Sequence, residues 1–163
     1  MTAQSSETLL LRGEKLSLCT EPLAEYLESS GNPIKFDAQW TSCWRGYGGT
    51  WTIEGNRLYL VKLKGTSRTE AGWVERSLAD LFPDYPDGVF AHWYTGELRC
   101  PKGKLLQYSH GGYASRYEQD LFIEIVRGEV VAERLVVNGI GEPDATEGYA
   151  IAASTSTGPD LNF

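Results

Sequence analysis

Apolar and polar residues alternate over much of the chain, the period-2 pattern of strands that bury one face. Residues 8–18 read as extended: Leu9, Leu10 and Leu11 are followed, across Arg12-Gly13, by the alternating Leu16 and Leu18. The clearest hairpin spans 50–61, where Gly55-Asn56 suits a two-residue primed turn. Its register sets Glu54 opposite Arg57, Ile53 opposite Leu58 and Trp51 opposite Leu60, so opposite charges pair and apolar groups meet on one face. A long strand is expected over 89–99, bulged at Gly96. A turn at Cys100-Pro101-Lys102-Gly103 then returns residues 104–108 antiparallel to it. Residues 109–115 read as a glycine-containing loop, and 121–126 with 130–137 form a third hairpin around Arg127-Gly128-Glu129.

Two segments switch to helical spacing. Thr20 can cap a short helix with Pro22 near its start, Leu23, Tyr26 and Leu27 on its apolar face and Gly31 at its end. Val74, Leu78, Leu81 and Phe82 predict a second helix over 74–82, ended by the proline- and glycine-rich stretch 83–88. Sequence-adjacent strand pairs with two short covering helices predict a mainly β fold, an antiparallel meander in a strongly curved sheet or small barrel. A two-sheet sandwich is the alternative, because several strands carry large apolar residues on both faces. Residues 1–163 read as one domain, with 138–163 a peripheral arm or tail.

Composition narrows the class further. The aromatic set of five Trp, nine Tyr and five Phe suits a β-rich interior, and 163 residues can bury a sizeable core without a metal or disulfide framework. Cys19, Cys43 and Cys100 are odd in number, with no metal-ligand spacing, and read as unreactive thiols. No apolar run approaches the roughly 20 residues that span a bilayer, and residues 1–7 lack a signal-peptide pattern, so a cytoplasmic protein without a membrane partner is expected. The net charge of −7 belongs to the ends: residues 34–137 carry thirteen acids and thirteen bases, whereas 138–163 carry four acids and no base. The balanced middle lacks the basic footprint of a nucleic-acid binder, and the acidic ends could engage a basic protein partner.

Chemistry-bearing motifs are sparse. The sequence has no GxSxG elbow, phosphate loop, dinucleotide fingerprint or HExxH helix, so no catalytic set, metal site or cofactor is assigned. The two histidines, His92 and His110, could meet Glu97, Glu118 or Asp120 only through the fold. Residues 40–49, with Trp44, Arg45 and Tyr47, and residues 108–117, with His110, Tyr113 and Arg116, combine aromatics, arginine and glycine. That mix is common in binding surfaces, which makes these residues, together with His92 and Tyr94, the binding candidates.

The strings Trp44-Arg45-Gly46-Tyr47, Gly49-Thr50-Trp51, Arg57-Leu58-Tyr59-Leu60 and the run from Val89 to Arg99 resemble a pattern of small bacterial β-rich proteins of unknown function. The resemblance implies a bacterial source and a stand-alone domain. The leading expectation for function is non-enzymatic protein binding, as an immunity or inhibitor protein that neutralises a toxin or effector. A small-ligand or carbohydrate-binding β domain, with its ligand among Trp51, Trp93 and the tyrosines, is the alternative. An enzyme using His92 or His110 with a carboxylate is the third.

Overall fold

The computed structural model describes residues 4–109, 113 and 115–139. In chain order they form β1 (Glu7–Leu11), β2 (Glu14–Leu18), α1 (Leu23–Ser29), β3 (Tyr47–Glu54), β4 (Arg57–Thr69), β5 (Gly72–Ser77), α2 (Leu78–Leu81), β6 (Val89–Phe90), β7 (Gly96–Gln107), β8 (Arg116–Val126) and β9 (Glu129–Val137). The fold is mainly β, as the alternation predicts.

Three two-residue turns, Arg12-Gly13, Gly55-Asn56 and Arg127-Gly128, have positive φ at both central residues, the primed geometry that matches strand twist. They close the hairpins β1–β2, β3–β4 and β8–β9. The β3–β4 register is the expected one, with Glu54 on Arg57, Ile53 on Leu58 and Trp51 on Leu60.

Four local expectations are corrected. Residues 72–77 form β5 against β4, and the second helix begins only at Leu78. Ser77 explains the boundary: its side chain and that of Asp80 make a reciprocal capping box that starts α2 there. The strand expected over 89–99 is broken, because Tyr94 N–H donates to Ala91 O at 3.1 Å and folds 91–94 into a turn. His92 therefore lies in that turn, outside any strand. Residues 100–103 make no hairpin: β7 runs through them, with a register shift after Lys102. Pro101 is tolerated because β7 is hydrogen-bonded as a ladder on one side only among the described residues, so its missing N–H costs no sheet bond there. Thr20 caps no helix; its hydroxyl accepts from Arg99 N–H at 2.9 Å, and α1 begins after Pro22.

The antiparallel meander and the small barrel are also corrected. The nine strands form one mixed sheet in the order β2-β1-β3-β4-β9-β8-β7, with β5 and β6 also on β4. β1 and β3 pair in parallel, made possible by the long excursion through β2, α1 and the loop to Tyr47. The path's two ends approach at Cys19, whose N–H donates to Arg99 O at 2.8 Å, yet no ladder joins β2 to β7 among the described residues. On the other side β4 meets β9 at a single pair, Arg57 with Glu129, because antiparallel β9 runs off the start of β4 immediately afterwards. The sheet is therefore not closed into a barrel.

The inner face is filled by Leu9, Leu11, Leu18, Trp51, Leu58, Leu60, Leu98, Ile123 and Ile125, all buried. Each such side chain is worth about 1.5–3 kcal/mol of apolar burial. Tyr26 of α1 packs on Phe82 and Trp93 at centroid distances of 4.7 and 5.0 Å, which clamps α1 over the 91–94 turn. Asn138 and Gly139 follow β9; the proposed arm or tail beyond Gly139 lies outside the described residues.

Candidate functional site

The first aromatic–arginine segment and Tyr113 of the second meet the stretch leading into β1. Ser5 N–H donates to Ser42 O at 2.7 Å, Gln4 Nε2 donates to Thr41 O at 3.0 Å, and Trp44 N–H donates to Gln4 Oε1 at 2.7 Å. From the other side the Tyr113 hydroxyl lies 2.8 Å from Glu21 Oε2 and 3.4 Å from Ser5 O. Tyr113 is held there by Arg99, which donates to Tyr113 O at 2.7 Å, to Ser115 O at 3.1 Å and to Asp120 Oδ1 at 2.9 Å. One end of the fold thus carries the 40–49 segment and Tyr113.

At its centre is Glu7. Strand alternation puts it on the inner face with Leu9 and Leu11, and its side chain reaches no solvent. Its Oε1 accepts from Trp51 Nε1 at 2.7 Å and its Oε2 from Arg45 Nε at 3.1 Å. Gly49 makes room for this contact, since a Cβ there would sit 2.9 Å from both Glu7 Oε1 and Trp51 Nε1. Burial pushes the Glu7 carboxyl up to about 7, against the opposing pull of Trp51 and Arg45. Burial pulls on Arg45 in the opposite sense, but the Glu7 charge beside it leaves it raised, so the guanidinium stays charged. Arg45 also lies over the Tyr47 ring at 5.6 Å, and its Nη1 is buried with no hydrogen-bond partner among the described residues. A carboxylate sealed from solvent has no route to a substrate; this group pins the 40–49 loop to the sheet.

The other candidates are dispersed. Tyr47 is buried at the start of β3, and Tyr94 is buried in the core with its hydroxyl 3.4 Å from Glu97 O. His92 is exposed and edge-on to Trp93 at 5.5 Å. Arg116 is exposed at the start of β8 opposite Gln107. His110 lies outside the described residues. Among the described residues no three His, Cys, Asp or Glu side chains are grouped to hold a metal. Trp51 lies in the core and lines neither of two surface clefts, while Trp93 is held by its Nε1 donation to Pro22 O at 2.9 Å.

Sequence reasoning missed Glu7, Glu21 and Arg99, and it offered Asp120 as a histidine partner where the structure gives it Arg99. Glu7 had a signal: it continues the inward-facing row of Leu9 and Leu11 with a charge. It also missed the accessibility of β9. Beyond Val130, whose N–H donates to Asn56 O at 2.8 Å, residues 131–137 pair only with β8 among the described residues. Val131, Leu135 and Val137 on this edge are 55, 52 and 65% exposed. Leu135 shares the inner face with its partner Leu121, so that face is uncovered here. One ion pair crosses the opening, Arg12 to Glu133 at 3.0 Å.

No family model matches the chain, and neither a curated protein nor a solved structure matches it.

Proposed function

We propose that this chain is a non-enzymatic protein-binding domain that takes an extended segment of its partner along β9. The observation that carries the reading is the edge from residue 131 to 137, where backbone groups without a ladder partner among the described residues run beside the exposed Val131, Leu135 and Val137. An open edge of this kind is a template for a further strand, whose main chain supplies hydrogen bonds and whose alternate side chains supply the fit. The net charge of −7 favours a basic partner through long-range steering. A toxin or effector neutralised by an immunity or inhibitor protein is the partner class the reading expects.

The test is co-purification of the full chain from the cells that encode it, with neighbouring gene products co-expressed, beside a Leu135→Lys/Val137→Lys variant. A stoichiometric partner recovered with the parent chain and reduced at least about tenfold with the variant is expected, since about 1.4 kcal/mol gives that factor. Equal recovery with both chains, or no stoichiometric partner with the parent, overturns the reading.

A further inference from the structure

A second surface shares no residue with the β9 edge. On the outer face of β3, β4 and β5, a cleft of about 290 Å³ is lined by Trp40, Gly48, Lys64, Thr66 and Glu75, among others. Gly48 pairs with Lys64, and Thr66 with Glu75, so these four positions share one face. Trp40 forms a wall and is 68% exposed, an indole surface that contributes little to the core.

The glycines distinguish a folding need from vacant space. Gly46 has φ +80°, and a Cβ there would lie 2.7 Å from the Asp37 backbone; a Cβ at Gly65 would lie 2.5 Å from Phe36. Both are required by the packing. Gly48 is different: it has no positive φ, and a Cβ there would meet nothing within 4 Å. Glycine inside a strand weakens it, so this position gives up stability without any steric reason among the described residues. What Gly48 does provide is a hollow in the sheet face beside an exposed indole.

The polar groups around that hollow are of both signs. Lys64 and Glu75 are diagonal neighbours across the β4–β5 ladder, a spacing of roughly 7–8 Å. Neither makes an ion pair among the described residues. A charged ligand would meet one attractive and one repulsive group. A neutral ring with hydroxyls on its rim satisfies both, donating to the Glu75 carboxylate and accepting from the Lys64 ammonium, while its C–H face lies on Trp40. We propose that this cleft binds a neutral saccharide ring, stacked on Trp40 over Gly48 and hydrogen-bonded by Glu75 and Lys64.

The test is an indole N–H NMR titration of the full chain with methyl β-glucoside, cellobiose, maltose and diacetylchitobiose at millimolar concentrations. A saturable shift of the Trp40 resonance with at least one sugar, leaving buried Trp51 unmoved, is expected. Gly48→Leu, which fills the hollow, and Glu75→Gln should each weaken that binding at least about tenfold with the other indole resonances in place. Trp40 unmoved by all four sugars overturns the proposal, and so does a shift that survives Gly48→Leu unchanged. Neither result bears on partner capture by β9, which uses other residues.

Discussion

Trp51 donates its indole N–H to Glu7 at 2.7 Å in the interior of the sheet, and the same carboxyl accepts from Arg45 at 3.1 Å. Two strands and the 40–49 loop are therefore joined through one ionisable group. Much of the behaviour of this end of the fold follows from that arrangement.

Because burial raises the Glu7 carboxyl from 4.5 to about 7, the folded chain holds a proton there that the unfolded chain releases. Stability from this group is fully present below about pH 4.5 and is lost as the pH rises towards 7 and above. The loss is of order 3 kcal/mol. Urea midpoints at about pH 5 and pH 8 should differ in that sense, and the Trp51 indole N–H resonance should titrate near neutrality. Glu7→Gln should abolish the slope.

Removing one partner of a buried pair leaves the other uncompensated. Arg45→Met should destabilise the fold near neutral pH and push the Glu7 carboxyl further up, whereas Glu7→Gln, which mimics the protonated carboxyl, should cost less, and the double variant should depart from their sum. Chemical denaturation of the four chains measures the coupling. Additive effects would show that the contact contributes nothing.

Adjacent glycines should respond differently. Gly49→Ala places a methyl 2.9 Å from Glu7 and Trp51 and 3.1 Å from Leu60, and should cost about 1–3 kcal/mol. Gly48→Ala meets nothing within 4 Å, and its thermal midpoint should stay level or rise.

Thiol reactivity provides an independent check on burial. The Cys100 thiol is buried and pushed up to about 12, and burial also raises Cys19. In the folded chain Cys100 should resist a disulfide-exchange reagent and become reactive only on unfolding. Rapid labelling of all three cysteines under native conditions would contradict the packing of β7 against β8.

The β3–β4 and β8–β9 hairpins are legible in the sequence because turn chemistry and strand alternation are local and agree. The break at 91–94 is not, since it depends on Trp93 reaching Pro22 O and stacking with Phe82, contacts remote in sequence. The parallel pairing of β1 with β3 is equally non-local. Both aromatic–arginine segments stand out by composition, but the meeting of 40–49 with Tyr113 rests on the Gln4 side chain, the Ser5 backbone and Arg99, residues with no local mark. Helical spacing at Val74 misled because Val74 is a strand residue opposite Ser67, and the helix proper starts at the Ser77 cap.

Hydrogen exchange on the chain with and without its captured partner tests the protein-binding account most directly. The account predicts slowed amide exchange across 131–137 on binding, with the 40–49 loop unchanged. Protection elsewhere with unaltered exchange along β9 would contradict it.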